Sequence, residues 1–392
     1  MTPNDIYFRR WRTDADFRAG TAIGTVVGGD AITFGTPAGR LTYPDPHSGA
    51  TGTYEFATWT SMEVAPGFGA KEIISSWIAS TPGGSWIQIE LRGATSTGSF
   101  TKWYVVARWA ADDAVLRRTS VPAQGDADGT VSVDTFVATP GRELHRWQLR
   151  VTLLRPIGSE LTPTLRSLGA VASCLPEPGR ITPSTPQAAL GVTLEVPRFS
   201  QEIHVGEYPQ YDNGGQAWCS PTCTSMVMSY WGALPPTDDY AWVDQSYQDR
   251  WVDHAARHCF DYNYVGCGNW PFNVAYAGRY GLEGFVTRLR SLNEAELFIE
   301  AGLPLVLSAS FGKHEIPGLD YSTNGHLIAL VGFTADGEPI LNDPNSPTDE
   351  DVRKPVGRAE FESAWLNSSR GVAYVMHPAG AALPDPPSQP NW

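Results

Sequence analysis

The sequence predicts two domains, an all-β sandwich or jelly roll followed by a domain of mixed α and β structure. Three observations carry this expectation. The chain has 392 residues, and domains run to about 100–200 residues each. Period-two alternation between turn clusters recurs up to about residue 172, which is the mark of half-buried strands. A proline-rich stretch then precedes the first long helical pattern. The 42% hydrophobic content suffices for packed cores and excludes global disorder. No run approaches 18 consecutive apolar residues, so no membrane span is expected. The net charge is −14, and of 28 basic residues only Lys71, Lys102, Lys313 and Lys354 are lysines. With no polybasic cluster, a nucleic-acid partner is not expected.

Within residues 1–173 the clearest strand places Trp147, Leu149, Val151 and Leu153 on one face and Gln148, Arg150 and Thr152 on the other. Trp86–Leu91, Trp103–Trp109, Thr130–Val137 and Leu165–Val171 follow the same rule, with turns at Pro82-Gly83-Gly84 and Asp126–Gly129. The DADG stretch at Asp126–Gly129 lacks the remaining ligands of a calcium loop and reads as a turn. Several short strands with such turns fit a sandwich or jelly roll.

Residues 174–195 contain Pro176, Pro178, Pro183 and Pro186. They can propagate neither a helix nor a central strand and read as an extended linker. Residues 196–378 follow as the second domain. Pro221 to Trp231 reads as a helix, because Cys223, Met226, Val227, Tyr230 and Trp231 share one face. Asn293–Ala301 reads as another, with Asn293 and Glu296 spaced as a capping pair. Leu303–Ser308, His326–Phe333 and Glu338–Leu341 read as buried strands. Residues 379–392 form a tail that reads as loose from Pro384 onward.

GGQAWCSPTCTSMVMSYWG, Gly214–Gly232, is the most informative stretch. Pro221 marks a helix start, with Cys219 just before it. The positive helix end favours a thiolate there, and the apolar stripe of the helix turns the sulfur toward the body of the domain. Such a thiolate needs a base to act as a nucleophile; otherwise Cys219 is a small buried hydrophobe. Cys223 lies within the stripe and reads as core. A Cys219/Cys223 metal pair has no second ligand pair, so neither a metal nor another cofactor is expected. Five cysteines leave at least one thiol outside any disulfide set.

Of the eight histidines, His326 opens the apolar run TNGHLIALVGF, where a sheet would hold it as a general base must be held. His254, His258 and His314 read as solvated. The return strand PILNDPNSP supplies the orienter. A two-residue turn at Asp336-Gly337 puts Asp343 on the face of His326 but roughly 13 Å along it. A turn at Thr334-Ala335 puts the two directly opposite. Both registers select Asp343 over Asn342, and a loop with an odd residue count reverses the choice.

The order of helix-start Cys, strand-mouth His and return-strand Asp resembles that of papain-like cysteine peptidases. VPRFSQ (Val196–Gln201), WCSPT (Trp218–Thr222), TNGHLIALVGF (Thr323–Phe333) and LNDP (Leu341–Pro344) resemble the bacteriocin-processing peptidases, cysteine peptidase family thirty-nine. GNWPFNVAYA and LEGFVTRLRSL resemble its stand-alone actinobacterial members, which are usually exported. The likeness spans about residues 190–378, and the β-rich half also resembles the domain preceding the peptidase in those relatives. It implies a papain-like fold with Cys219 as nucleophile, His326 as general base and acid, and Asp343 as orienter. Gln201 is implied as oxyanion donor, with Gln216 the competitor by proximity. Ser220 departs from the Gly that many members have after the catalytic Cys. No membrane or ATP-binding segment accompanies the motifs, so a Gly-Gly leader specificity is not carried over. If the chain is exported, Cys259 and Cys267 are candidates for a disulfide, around DYNYVG, a loop that could wall the cleft. The N-terminus, Met1 through Arg12, has no signal-peptide core. The chain is therefore either cytoplasmic or secreted with its signal already removed.

The reading is a cysteine peptidase or amidase acting on a peptide or protein substrate. A thiol acyltransferase or crosslinking enzyme would use the same acyl-enzyme. A non-catalytic reading has the first domain binding a polysaccharide or cell-surface polymer through Trp59, Trp77 and Trp103, residues that equally fit core positions.

Overall fold

Trp147, Leu149, Val151 and Leu153 alternate along the strand Arg146–Pro156 and are fully buried, as the pleat requires of an inward face. The computed structural model describes residues 4–392 and divides them into two units. The first runs to Leu175 and takes in Asp261–Val265 and Trp392. The second is Pro176–Phe260 with Gly266–Asn391.

The first unit is built on two antiparallel sheets. One runs in the order Gly129–Ser132, Thr135–Ala138, Glu72–Ser80, Thr164–Cys174, Ile32–Phe34, Thr25–Val27, with Asp5–Trp11 also paired to Thr164–Cys174. The other runs Thr21–Ile23, Thr51–Thr60, Arg146–Pro156, Trp86–Ala94, Tyr104–Trp109, with Gly39–Pro44 paired to Thr51–Thr60. Trp11 of the first sheet meets Trp59 and Trp147 of the second edge-on, with ring centroids 6.0 and 5.9 Å apart. Edge-to-face aromatic packing of this kind adds to the burial of large rings. The stretch Thr130–Val137 is a hairpin rather than one strand, turning at Val133 and Asp134. Asp126 accepts the backbone N–H groups of Asp128 and Gly129, so the DADG stretch is a turn. Most of the DYNYVG loop, Asp261–Val265, belongs to the first unit. Asp261 accepts the Ser120 N–H at 3.0 Å, and the Tyr262 hydroxyl donates to Asp113 at 2.8 Å, within the first unit.

The second unit carries a six-stranded antiparallel sheet in the order Leu282–Arg288, Val372–Pro378, Leu305–Phe311, Thr323–Phe333, Pro339–Asn342, Arg353–Pro355. The helix Cys219–Tyr230 packs on the strand Thr323–Phe333 and on the helices Arg250–Cys259 and Trp270–Arg279. This helix begins two residues earlier than Pro221 suggests, so Cys219 is its first residue and the proline its third. The position is tolerated because first-turn N–H groups have no partner within the helix. The helix expected at Asn293–Ala301 runs Leu292–Glu300 behind Ser291. Glu296 is not a cap. It is fully buried, ion-paired with Arg358 at 2.7 Å, and accepts the N–H groups of Gln187 and Ala188.

Those contacts hold the proline-rich segment against the second unit. Arg358 also donates to the Ser184 carbonyl at 2.8 Å and the Gly337 carbonyl at 2.9 Å. The C-terminal residues are not loose either. Asn391 is buried; its side chain donates to the Arg288 carbonyl and accepts from Arg290, both at 2.8 Å. Among the described residues no helix is long and apolar enough to cross a membrane.

Removing one partner of a buried ion pair strands the other charge and costs about 3–5 kcal/mol. Arg358→Met should therefore lower the unfolding free energy of the second unit by about that much, read by denaturant titration. Exposed Arg18→Met in the first unit, whose partner is Asp14 on the surface, should change the unfolding free energy of that unit by less than about 1 kcal/mol.

Candidate active site

Cys219 is held where a helix begins beside a sheet, buried at 9% exposure. Just upstream, Gly215 has no room for a side chain. A Cβ there would lie 2.3 Å from the Gln201 carbonyl oxygen and 2.5 Å from the His204 carbonyl carbon. Only glycine lets the Gln201–His204 turn lie this close to the approach to Cys219. The Gln201 N–H donates to the Pro344 carbonyl at 2.9 Å, tying the same turn to the Asp343 loop. Its side-chain amide donates to the Gln216 carbonyl at 3.0 Å and to Glu202 at 3.1 Å. Gln201 is buried, whereas Gln216 is exposed.

His326 lies on the strand Thr323–Phe333, and its Nε2–H donates to Asp343 Oδ1 at 2.9 Å. Nδ1 is left free of Asp343, and the Cys219 thiol lies near enough to favour the charged imidazolium. How Asp343 reaches His326 differs from both expected turns. The strands Thr323–Phe333 and Pro339–Asn342 close on the five residues between Phe333 and Pro339. That odd count would put Asn342, not Asp343, on the His326 face. A bulge at Val331 then shifts the register by one, so that Ala329 opposes Asn342 and Asp343 regains the face of His326. The carbonyl of the bulged Val331 accepts the Leu194 N–H at 2.8 Å. Gly332 lets residues 192 and 193 approach, since a Cβ there would lie 2.4 Å from the Val192 carbonyl oxygen. Asn342 instead holds the VPRFSQ segment, donating to the Pro197 carbonyl at 3.1 Å.

Asp343 is fully buried and held by groups that sequence patterning did not single out. The Tyr321 hydroxyl and the Asn345 N–H each donate to Oδ1 at 3.1 Å, and the Lys354 ammonium lies 3.5 Å from Oδ2. The Asn345 contact is an Asx-type turn within DPN and was legible; Tyr321 and Lys354 carry no local signal. Burial alone would push the Asp343 carboxyl up, but His326, Lys354 and the Asn345 N–H hold it below its ordinary range. Burial alone would likewise depress the His326 imidazolium. The bond to Asp343, with Cys219 nearby, outweighs that and pushes it up to about 10.

Other candidates resolve differently. Cys223 is fully buried, its thiol donating to the Leu327 carbonyl at 3.3 Å, and burial raises it well above its ordinary range. Ser220 meets the Tyr374 hydroxyl at 3.0 Å. His254 and His258 are buried rather than solvated, because the helix Arg250–Cys259 turns them inward. Cys259 and Cys267 are both buried thiols. Trp59 and Trp77 are core; Trp103 is half-buried between the guanidinium groups of Arg92 and Arg150.

The fold thus gathers a thiol at a helix start, an imidazole and a buried carboxylate in the second unit. Residues 193–373 match the family model described as "Peptidase_C39 like family". Residues 7–173 match that of the "Peptidase C39 N-terminal domain" of actinobacterial type. The chain belongs to the actinobacterial Peptidase C39-like proteins. No curated protein matches it. Two solved structures are each 12% identical. They are the N-terminal endo-1,4-beta-D-xylanase 10B of Clostridium thermocellum (50% of this chain and 33% of that one, TM-score 0.22) and a family two carbohydrate esterase from Cellvibrio japonicus (57% and 50%, TM-score 0.21). The chain thus spans a third to a half of their length, and likenesses this faint bear on neither fold nor function.

His326 is raised and Asp343 lowered on folding, so their pairing contributes fully to stability between the unfolded values of about 3.9 and 6.5. That contribution is lost as pH rises through about 10, and also as pH falls through the Asp343 value. Wild-type melting temperature should therefore decline from pH 7 toward 10, and Asp343→Asn should flatten the decline. Thermal unfolding across that range decides the matter.

Proposed function

We propose that the protein is a cysteine peptidase or amidase, with a papain-like C-terminal half behind a sandwich or jelly-roll N-terminal half. The observation that carries this reading is the buried His326, bonded at 2.9 Å to Asp343 and electrostatically coupled to Cys219 at the helix start. With Asp343 fixing the ring, His326 takes the Cys219 proton and frees the sulfur to act as a nucleophile. The thiolate attacks a peptide carbonyl carbon, forming the C–S bond. The oxyanion is met by the Cys219 backbone N–H, which has no partner within its helix, and by the Gln201 amide, which exchanges Glu202 for it. The His326 imidazolium gives its proton to the departing amine as the C–N bond breaks. Water, deprotonated by the neutral imidazole, then cleaves the thioester and restores the pair. The substrate class is a peptide or related amide.

Cys219→Ala should lose at least about 10³-fold of the hydrolysis of a mixed-peptide substrate while remaining folded. Iodoacetamide should label Cys219 ahead of the other four thiols, as judged by peptide mapping. A native protein that is not alkylated at Cys219 would overturn the reading. An added amine that captures most of the acyl group, seen by product mass, would make the enzyme an acyltransferase instead. Gln201→Ala should lower kcat about 10²-fold with little change in KM.

A further inference from the structure

A second cluster of ionisable groups lies in the same unit and takes no part in the chemistry above. His204 ends the single turn Glu202–His204, Glu207 follows three residues later, and Asp253 stands in the first turn of the helix Arg250–Cys259. His204 and Asp253 are fully buried, and Glu207 is 9% exposed. The His204 Nδ1 is 2.7 Å from Glu207 Oε2 and 3.4 Å from Asp253 Oδ2. One ligand atom from each of the three residues lies within 4.8 Å of the others.

Two features set this cluster apart from an ordinary buried ion pair. Outside the cluster itself, neither buried oxygen of Asp253 has a hydrogen-bond partner, and Oδ2 points at the His204 ring 3.4 Å away. A buried carboxylate in that condition is costly. No Lys or Arg pairs with any of the three among the described residues, so two carboxylates share one imidazole. A nearby third carboxylate, Asp249, also has a buried oxygen without a partner.

We propose that His204, Glu207 and Asp253 bind one divalent first-row cation of the zinc type. This departs from the metal-free chain that the sequence led us to expect, because the only hint there is His204 three residues before Glu207. One imidazole nitrogen and two carboxylate oxygens are a ligand set of intermediate softness, suited to zinc rather than to calcium. On binding, the proton on Nδ1 leaves to solvent. One metal–nitrogen and two metal–oxygen bonds form in its place, each about 2.0–2.2 Å long. The 3.4 Å approach of Asp253 already suits the edge of a tetrahedral centre, and the Glu207 edge opens to match. The ion is structural in role. The His204 ring packs 5.8 Å from Trp218, the residue before Cys219, and Gln201 leads the turn that His204 ends. Metal binding therefore braces the two segments that approach Cys219.

Because Cys219 and His326 can also capture zinc, the test uses full-length Cys219→Ala protein stripped with a chelator. Titration with Co²⁺ should reach saturation at one equivalent, with visible bands of nitrogen and oxygen coordination and no thiolate charge-transfer band. Zn²⁺ should then displace the cobalt and raise the melting temperature. Asp253→Asn should weaken Co²⁺ binding at least about tenfold. The proposal is overturned by the absence of saturable uptake, by a thiolate band, or by unchanged affinity in an Asp253→Asn protein with wild-type near-ultraviolet dichroism. If Asp253→Asn does not fold, Glu207→Gln, at the edge of the cluster, is held to the same criterion. Binding is read without turnover, so its failure leaves the proposed hydrolysis untouched.

Discussion

One inserted residue decides which side chain His326 meets. Without the bulge at Val331, the five-residue loop would turn Asn342 to the histidine and Asp343 away from it. A neutral amide could still orient the ring, but it could not hold the imidazolium as a buried carboxylate does. The bulge is supported from outside the hairpin. Leu194 takes the carbonyl that Val331 cannot pair in the ladder, and Gly332 makes room for the chain that brings Leu194 there. Bulges that re-aim a side chain are a common device beside reactive groups.

The same logic explains what patterning along the chain could and could not reveal. Helix period and proline placement located Cys219 to within two residues of the true helix start. The strand that carries His326 follows directly from its apolar run. The Asp343 face was right, whereas the turn that was to deliver it was not, because strand register depends on loop length and bulges that alternation does not encode. The histidines of the helix Arg250–Cys259 are buried, against the expectation from their polar surroundings in sequence, for a related reason. Their burial is set by the helices and side chains packed over them, and a polar residue carries no local sign that it will be covered. Tyr321 and Lys354, and the meeting of Asp253 with His204, are products of tertiary proximity alone.

In the first unit, patterning fared well because alternation is a direct consequence of the pleat. The tryptophans that might have read as a ligand platform are instead spent on joining the two sheets. Trp11, Trp59 and Trp147 fill the space that aliphatic side chains would fill in a less aromatic sandwich, and the indole of Trp59 donates to the Phe17 carbonyl at 2.8 Å.

Asn391 has a consequence for how the chain is made. Its side chain secures Arg288 and Arg290, close to a hundred positions behind it on the nascent polypeptide. Contacts between positions so far apart in sequence cannot form until the later one has emerged from the ribosome. The second unit therefore cannot acquire its full set of native contacts until Asn391 has emerged.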